Sequence, residues 1–546
     1  MLRIMLKKME SDKQKYICIL SRSDKMGNYL IGVDLGTAGT KAGIFNEEGK
    51  QLAGAYEESR LRHPRSGWVE QDMEDFYRSA SLTIREVLEK SEVDPADIAA
   101  IAIDGQMSGI GTINKDWNAP TRYDNWLDIR CEPFIKHMNE EAGEEILQKA
   151  GAPPTYSHGP KILWWKENHP ELFKNEIAKF VVPSCYVAGK MAGLKAEEAF
   201  IDYTYLHFTN LADNQKMEWD EELCQHFDIP VEKLPRIVEP WDIVGEVSRR
   251  AAEDFNLKAG TPIVAGAGDT TTTYLGAGIV EPGVIFDVAG TASAFASCTE
   301  EFSADVDYGT IMCTRSTIKG LWNPMAFING GGLCLRWFRD EIADQERKEA
   351  EQLNLDPYDH LNQLAAEVPA GSNGLLFVPH FGGRVLPPQP NLRGSWVGLS
   401  WGQQKAALYR AILESIAYEY YYYFKIKQTL YPETDFQEVR VLGGGSRSDL
   451  WNQIKSDVLN IPYIRVVQEE PAILGGAIIA GYAVGIFEDL KGTAKQFVDK
   501  RQEYQPREEY SEFYQQYAET YINLIDNLEN SYQALAGLSN QKAPQS

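Results

Sequence analysis

The sequence predicts an α/β protein built from two similar halves, and two observations support this. A short apolar strand that ends in a Gly/Thr turn occurs at residues 29–41 and again at residues 284–293. Strand-like runs alternate with helical stretches in both halves, which is typical of a mixed sheet covered by helices on both faces. The length of 546 residues allows two domains with sizeable cores.

The first half is predicted to span residues 29–280. Its strands are expected at residues 29–33, 41–45, 98–103 and 262–265, and its helices at residues 73–90, 130–142 and 161–167. The half ends at a Pro/Gly turn, residues 280–283, because such a turn directly precedes the second strand-turn motif.

The second half is predicted to span residues 281–487. Its strands are expected at residues 284–288, 374–379 and 439–442, and its helices at residues 403–427, 448–459 and 474–484. Residues 488–546 are predicted to form a helical C-terminal tail. Residues 1–28 are charged and patternless, so they are predicted to be a disordered extension or to reflect a start codon assigned too early.

The composition excludes several classes of function. The net charge of −25 argues against partners such as nucleic acid or an anionic membrane surface. The longest uncharged stretch, residues 472–487, is shorter than the ~20 residues of a membrane-spanning helix and is expected to form a buried helix. The seven cysteines never occur as C-x-x-C, which fits reduced thiols and no structural metal. These features predict a cytoplasmic protein without a membrane partner.

The two Gly/Thr turns are suited to phosphate. Such turns present backbone N–H groups and hydroxyls, so the two halves are expected to hold one polyphosphate between them. Asp34 lies inside the first turn and suggests Mg²⁺ held through water. The chain contains neither a G-x-x-x-x-G-K-[ST] loop nor the protein-kinase motifs, so the phosphate site must be of another kind.

Asp269 is the candidate catalytic base. It follows a buried strand that ends in small residues, and ligands usually bind at the carboxyl ends of strands in α/β sheets. A carboxylate there could orient and deprotonate an alcohol that attacks a phosphoryl group. A helix N-cap is the alternative role for this residue, and the two roles are compatible.

The acceptor side is expected in the first half. Residues 105–109 follow a predicted strand, and residues 124–130 bring Trp126, Asp128 and Arg130 close together in sequence. A sugar site needs carboxylates and amides for hydroxyls and an aromatic face for C–H groups. The alternatives are core packing for Trp126 and a surface ion pair between Asp128 and Arg130. The glycine clusters at residues 330–332 and 443–445 precede helices and are either phosphate sites or plain turns.

From these motifs, the chain resembles the FGGY carbohydrate kinases. Seven short motifs match those of the family in the same order, at residues 34–41, 67–72 (GWVEQD), 105–107 (GQM), 160–165 (PKILWW), 266–269 (GAGD), 290–291 and 443–446. The resemblance implies two ribonuclease H-like (actin/hexokinase-like) domains around a central cleft. The sugar and the catalytic base would lie on the N-terminal domain, and ATP would lie mainly on the C-terminal domain.

The resemblance also implies roles for individual residues. Asp269 would accept the proton of the attacking hydroxyl, and Asp34 would organise Mg²⁺. The acceptor would be bound by Gln106, Met107, Ser108, Trp126, Asp128, Tyr156 and Thr270. ATP would be bound by Thr37, Thr40, Lys41, Gly290, Thr291, Gly332, Gly444, Gly445 and Ser448.

The expected function is therefore ATP-dependent phosphorylation of a small sugar or polyol, with a xylulose-like pentulose as the leading acceptor. Three residues depart from the xylulokinase pattern: Ser108 replaces a common His, Thr270 replaces a common Asn, and His158 stands where Pro, Ser or Thr is expected. Residues 335–340 also resemble the autoinducer-2 kinases, which are the alternative. A non-catalytic sugar- and ATP-binding regulator on the same fold is a further alternative. Dimers are common in the family, so a homodimer is one expected assembly.

Overall fold

The computed structural model describes residues 29–539. The N-terminal extension predicted at residues 1–28 lies outside the described residues, as do residues 540–546. Within the described residues no helix is both long enough and apolar enough to cross a bilayer. The six cysteines in this part of the chain are unpaired and buried.

The first half contains a six-stranded mixed sheet. Its strands are β1 (Tyr29–Leu35), β2 (Gly39–Phe45), β3 (Gln51–Glu58), β4 (Ile98–Gly105), β5 (Ile243–Glu246) and β6 (Pro262–Val264). Their order in the sheet is β5-β6-β4-β1-β2-β3. β1 pairs antiparallel with β2 and parallel with β4. Every residue of β4 is buried, as is typical of a central parallel strand with helices on both faces.

The second half repeats this arrangement in a seven-stranded sheet. Its strands are β7 (Val284–Ala289), β8 (Ser293–Ser297), β9 (Met312–Arg315), β10 (Trp322–Ile328), β11 (Glu438–Leu442), β12 (Tyr463–Val466) and β13 (Lys500–Tyr504). Their order is β9-β10-β8-β7-β11-β12-β13. β7 pairs antiparallel with β8 and parallel with β11, as β1 does with β2 and β4. The repeated strand-turn motif therefore occupies the same position in both sheets, which confirms the prediction of two similar halves.

Helices and short strand pairs cover and connect the two sheets. The helices are Met73–Ser91, Glu132–Ala150, His158–Asn168, Pro170–Asn175, Pro183–Ala192, Leu206–Thr209, Glu221–His226, Arg249–Phe255, Asp269–Gly276, Gly331–Glu341, Asp344–Leu353, Pro357–Ala366, Lys405–Leu430, Asp449–Leu459, Pro471–Ala483, Leu490–Phe497 and Glu508–Ser539. The short pairs are Glu70–Gln71 with Tyr123–Asp124, Gly111–Ile113 with Lys179–Val181, Phe200–Asp202 with Arg236–Val238, Ala212–Asp213 with Glu218–Trp219, and Leu376–Val378 with Ser395–Val397.

The segment after residue 487 is mostly helical, but it also contains a strand that the prediction lacked. It contains helices Leu490–Phe497 and Glu508–Ser539, but strand β13 between them pairs antiparallel with β12 at the edge of the second sheet. Four of the five residues of β13 are exposed, so the strand carries no apolar alternation from which it could have been predicted. Charged residues on this edge strand discourage pairing with another chain.

Helix Pro471–Ala483 joins the two halves. It follows β12 in the chain, yet it packs on β1 and on helix Asp269–Gly276. A Cβ atom at Gly32 would collide with the carbonyl oxygen of Ile473, and one at Gly475 would collide with that of Thr272, so glycine is required for the close approach. Most of the stretch predicted to be a buried helix is therefore one, although the helix ends at Ala483. It packs the first sheet and helix Asp269–Gly276 together at the junction between the halves.

Candidate functional site

Three carboxylates lie at the carboxyl ends of neighbouring strands in the first sheet. Asp34 of β1 is the register partner of Asp104 of β4, and Asp269 begins the helix that follows β6. Asp34 Oδ1 and both carboxylate oxygens of Asp104 are buried, and the two carboxyl groups lie within hydrogen-bonding reach of each other. Burial raises the pKa of Asp34, and burial together with the charges of Asp34 and Asp269 raises the pKa of Asp104 well above its usual range.

These oxygens fit a hard divalent cation. Mg²⁺ prefers oxygen ligands, and proteins usually supply one or two carboxylates while water and substrate phosphates supply the rest. Among residues 29–539 there is no group of three or more His, Cys, Asp or Glu arranged as a complete metal site. Asp34, with Asp104 beside it, could therefore supply only some of the oxygen ligands of a Mg²⁺ ion. A bound phosphate would have to supply others.

Asp269 is the first residue of helix Asp269–Gly276, one position after the N-cap residue Gly268. Its Oδ1 accepts hydrogen bonds from the Thr270 amide at 2.6 Å and the Thr270 hydroxyl at 3.1 Å. Both contacts use the same oxygen, so Oδ2 stays available to another group. Burial and the nearby charge of Asp34 raise the pKa of Asp269 to about 7, which suits a group that gains and loses a proton near neutral pH.

A cavity of about 500 Å³, which we call the cleft cavity, opens beside Asp269 between the two halves. It is lined by Thr37, Gln106, Met107, Ser108, Trp126, Leu127, Ile129, Thr155, Tyr156, Phe208, Asp269, Thr270, Met312, Met325, Phe327, Asn329, Val385 and Leu386. The structure thus brings together every predicted acceptor residue except Asp128. Thr37, predicted to bind ATP, also lies here.

Hydrogen bonds order the polar side of the cleft cavity. The indole N–H of Trp126 donates to Thr37 Oγ1 at 2.8 Å, and the Thr37 hydroxyl donates to Gln106 Oε1 at 3.3 Å. The Gln106 amide in turn donates to Gln71 Oε1 at 2.9 Å, and the Asn125 amide bridges both glutamines. Trp126 is 39% exposed, so it is held by this chain of bonds rather than by core packing.

A second cavity of about 490 Å³, which we call the glycine cavity, lies in the second half. It is lined by Ala289, Gly290, Thr291, Gly332, Leu335, Arg336, Asp356, Tyr358, Asp359, Asn362, Tyr409, Leu413, Gly444, Gly445, Arg447, Ser448 and Trp451. All six ATP-binding residues predicted in the second half are among them. The cavity has the size and the mixture of apolar and polar groups typical of small-molecule sites.

The floor of the glycine cavity is made by a helix end and a turn. The Gly332 amide donates to the Gly290 carbonyl at 3.1 Å, and a Cβ atom at Gly332 would collide with that carbonyl oxygen. Helix Gly331–Glu341 therefore begins directly on the turn between β7 and β8. The Leu333 amide likewise donates to the Thr291 carbonyl at 3.0 Å, so this end of the helix would favour a phosphate through the positive end of its dipole rather than through these two N–H groups.

Three predicted site residues have their side chains engaged elsewhere. The Thr40 hydroxyl is fully buried and shares a hydrogen bond of 2.7 Å with Ser79. Lys41 forms an ion pair of 2.6 Å with Glu470. The alternation of β2 directs the Thr40 side chain towards helix Met73–Ser91 and the Lys41 side chain towards the residue preceding helix Pro471–Ala483. A role of this segment in binding ATP stays a prediction.

The third of these residues is Asp128, which was predicted to bind the acceptor. Its carboxylate is fully buried, accepts a hydrogen bond from the Val69 amide at 2.7 Å and pairs with Arg130 at 2.6 Å. The structure therefore shows the alternative role, an ion pair between Asp128 and Arg130, although this pair is buried rather than on the surface. Asp128 holds the loop that carries Trp126 and does not line the cleft cavity.

Sequence reasoning missed two groups of residues. Asp104 ends a buried strand directly before the GQM motif, and this position could have identified it. The cleft-cavity residues contributed by the second half carry no motif, except Asn329, which directly precedes the glycine cluster at residues 330–332. They are Met312, Met325, Phe327, Asn329, Val385 and Leu386.

Comparison with known proteins identifies the family. The model of the N-terminal domain of the FGGY family of carbohydrate kinases matches residues 29–276, and that of the C-terminal domain matches residues 288–484. Xylulose kinase and gluconokinase of Bacillus subtilis are each 28% identical to this chain, over 93% and 94% of it and 98% of each relative. An autoinducer-2 kinase of Klebsiella pneumoniae is 29% identical over 90% of this chain and 92% of the relative.

The solved structures agree with this result. Ligand-bound xylulose kinase from Lactobacillus acidophilus superposes with a TM-score of 0.84 at 24% identity, covering 93% of this chain and 99% of that chain. This likeness confirms the expected actin/hexokinase-like architecture of two domains. The chain belongs to the FGGY family of carbohydrate kinases, which are phosphotransferases with an alcohol group as acceptor.

Proposed function

We propose that this protein transfers the γ-phosphoryl group of ATP to a hydroxyl of a small uncharged sugar or polyol, with a xylulose-like pentulose as the leading acceptor. The observation that carries the proposal is the position of Asp269. It borders the cleft cavity, one of its oxygens is free of hydrogen bonds to Thr270, and its pKa is raised to about 7. A bound hydroxyl next to this carboxylate would lose its proton as it attacks phosphorus.

The glycine cavity supports binding of ATP on the second half. The turn at Gly290 and Thr291 lies in this cavity beside the positive end of the dipole of helix Gly331–Glu341, which favours a phosphate there. Asp34 and Asp104 would hold Mg²⁺, which would neutralise phosphate charge when bound. Asp34 would also keep the pKa of Asp269 raised while no cation is present.

The charge of the cleft cavity supports an uncharged acceptor. Among its described lining residues there is no Lys, Arg or His, and Asp269 is its one carboxylate. His158 lies behind Met107 and contacts the Met107 carbonyl at 2.7 Å, but burial lowers its pKa to about 4, so it is neutral at pH 7. An anion such as gluconate would therefore find no counter-charge. A pentulose is favoured over gluconate, and the uncharged acceptor of an autoinducer-2 kinase-like enzyme remains the alternative.

The test measures the rate of ADP release from Mg-ATP in the presence of each candidate acceptor. The panel consists of pentuloses, pentitols, tetritols, glycerol, gluconate and the autoinducer-2 precursor. We expect strong stimulation by one uncharged acceptor and none by gluconate. A preference for gluconate would overturn the acceptor class. Slow ADP release that no compound stimulates would favour the alternative of a non-catalytic regulator.

The activity should depend on the ionisation of Asp269. Because the base must be ionised to accept a proton, we expect kcat/KM to rise with pH, to reach half its plateau near pH 7 and to stay level above it. The measurement uses subsaturating ATP and acceptor, so that kcat/KM reports the free enzyme. A profile that is flat from about pH 5.5 to 8 would show that no base with this pKa is needed.

Filling the glycine cavity should weaken ATP binding without unfolding the protein. A Cβ atom at Gly444 would meet no other heavy atom within 4 Å, so a leucine there fits the free protein but occupies the cavity. We expect Gly444→Leu to raise KM for ATP about tenfold or more and to leave Tm unchanged. Gly402 has an equally open environment outside both cavities, so Gly402→Leu is the control. An unchanged KM in Gly444→Leu would place ATP elsewhere.

A further inference from the structure

His158 is a buried histidine behind the acceptor side of the cleft cavity. The xylulokinase pattern has Pro, Ser or Thr at this position, and the proposed function assigns the imidazole no part in the reaction. His158 is the first residue of helix His158–Asn168 and is 2% exposed. It does not line the cleft cavity, so it can act on a bound acceptor only through residues that do.

The partner of the imidazole is the backbone of the segment 105–109. His158 Nε2 lies 2.7 Å from the Met107 carbonyl oxygen, and a carbonyl only accepts, so Nε2 carries the hydrogen and donates it. Among residues 29–539 no backbone amide donates a hydrogen bond to this carbonyl, which leaves the imidazole as its donor. The Gly109 backbone also lies within hydrogen-bonding reach of the ring.

Water is a poor substitute for this donor. The imidazole borders a cavity of about 10 Å³ whose lining is mainly aliphatic and aromatic and includes Ile110, Ile162 and Phe180. This volume is at the lower limit for a single water molecule, and apolar walls give such a water few partners. Without the imidazole, the buried Met107 carbonyl would therefore be left without a hydrogen bond.

Met107 connects this contact to the proposed base. A Cβ atom at Gly268 would lie 2.4 Å from Met107 Cε, so the Met107 side chain packs directly on the residue before Asp269. Gly105 and Gly268 also form a β-bridge. Gln106 and Ser108, on either side of Met107 in the chain, both line the cleft cavity. The position of the segment 105–109 thus sets how far these two side chains lie from Asp269.

The helix that carries His158 is itself fixed to the other acceptor segment. Lys161, one turn later, is fully buried, and its Nζ donates to the Asn125 carbonyl at 2.9 Å and to the Asp128 carbonyl at 3.1 Å. These two carbonyls lie on either side of Trp126 in the chain. His158 is therefore held on a helix that is bonded to both segments of the acceptor side.

We propose that His158 is a positioning residue for the acceptor, which holds Gln106 and Ser108 in register with Asp269 through the Met107 carbonyl. The inference rests on the proposed function and adds to it a residue that does not touch the acceptor. A buried carbonyl that loses its donor is costly, so the segment 105–109 would shift to find another partner. A shift of about 1 Å near the reacting groups is enough to slow transfer markedly.

The experiment compares His158→Leu with His158→Gln. Leucine suits the apolar surroundings but has no N–H, and we expect kcat/KM for the most effective acceptor of the panel to fall by about tenfold or more. The KM for ATP should stay within about twofold, because the glycine cavity lies in the other half. The glutamine amide reaches about as far as Nε2 and can donate to the same carbonyl, so His158→Gln should recover kcat/KM to within about threefold of the unmodified enzyme.

Lys166→Met is the matched control on the same helix. The Lys166 ammonium also donates to a backbone carbonyl, that of Phe227 at 3.0 Å, but this contact lies outside the cleft cavity. We expect kcat/KM for the acceptor to stay within about twofold. Thermal unfolding shows whether each variant is folded. An unchanged kcat/KM in His158→Leu, a loss in His158→Gln as large as in His158→Leu, or an equal rise in KM for ATP would overturn the inference.

Calorimetry separates this inference from the proposed function. D-xylulose is titrated into Asp269→Asn and into the double variant that carries Asp269→Asn and His158→Leu, and we expect binding to be about tenfold weaker in the double variant. This weakening together with no acceptor-stimulated ADP release in the unmodified protein would refute the kinase activity but support the role of His158. Acceptor-stimulated ADP release that His158→Leu leaves unchanged would do the reverse.

Discussion

Replacing Asp269 with asparagine is expected to lower kcat by about 10²- to 10⁴-fold while the protein still binds ATP. The amide has nearly the shape of the carboxylate, and its oxygen can still accept the hydrogen bonds of Thr270. It cannot accept a proton from the acceptor hydroxyl. Turnover of Mg-ATP with the preferred acceptor and calorimetric binding of ATP are the two measurements. Near-normal turnover would remove Asp269 as the base.

Asp202→Asn is the matched control for this variant. Asp202 is buried, and burial also raises its pKa to about 7, but it hydrogen-bonds Thr204 outside the cleft cavity. We expect it to keep kcat within about threefold of the unmodified enzyme. The Thr204 hydroxyl also accepts a hydrogen bond from the Gly268 amide at 2.9 Å, so Asp202 supports the start of the Asp269 helix. An equal loss in both variants would mean that this support, and not proton acceptance by Asp269, controls turnover.

Asp269→Asn should also change how the stability of the folded protein depends on pH. The pKa of Asp269 is raised from 3.8 to about 7 by burial, so the folded protein holds this proton more tightly than the unfolded chain does. The stability linked to this proton is fully present below about pH 4 and is lost as pH rises through about 7. Asp269→Asn should therefore unfold at a higher temperature than the unmodified protein at pH 8 but not at pH 4. Thermal unfolding at the two pH values checks this independently of activity.

Replacing Arg130 with methionine is expected to lower the free energy of unfolding by about 3–5 kcal/mol. The Arg130 side chain is 2% exposed and pairs with Glu70 at 2.8 Å, Asp128 at 2.6 Å and Asp124 at 3.4 Å. Its guanidinium also lies 3.7 Å from the centre of the Trp68 ring. Methionine fills much of the space but leaves three buried carboxylates without their common cation. Urea unfolding measures the loss.

Arg122→Met is the control for the Arg130 variant. Arg122 contacts the same Glu70, at 3.3 Å, but its side chain is 47% exposed. Solvent screens this pair, so we expect a change within about 1 kcal/mol. Similar effects of the two substitutions would show that the buried cluster around Arg130 does not support the fold. Arg130→Met should also raise KM for the acceptor, because Asp128 would no longer hold the loop that carries Trp126.

Much of the fold could be predicted because it is encoded in contiguous residues. The strands β1 and β7 and their Gly/Thr turns are short apolar runs followed by turn residues, and both motifs occupy equivalent places in their sheets. Helix Met73–Ser91 begins where its apolar periodicity begins and is capped by Asp72. β13 could not be predicted, because its exposed charged residues show no period and only pairing with β12 makes it a strand.

The sequence predicted which residues lie at the site better than it predicted the contacts that their side chains make. The six predicted residues of the glycine cavity and most cleft-cavity residues of the first half lie in motifs that follow strands, so these motifs located them. A motif does not reveal which partner a side chain will find in three dimensions. Lys41 pairs with Glu470, 429 residues further along the chain, and Asp128 pairs with a buried arginine instead of facing the cavity.

By itself, then, the sequence determined that the chain has two α/β halves, that each carries a Gly/Thr turn after its first strand, and that Asp269 lies at a strand end. Apolar periodicity and turn residues act locally, so these features need no tertiary information. Only the tertiary structure decided that Asp104 lies beside Asp34 and that Met312, Met325 and Phe327 of the second half line the same cavity as Asp269. These groups come from strands that are distant in sequence, and the order of strands in the two sheets and the packing between the halves bring them together.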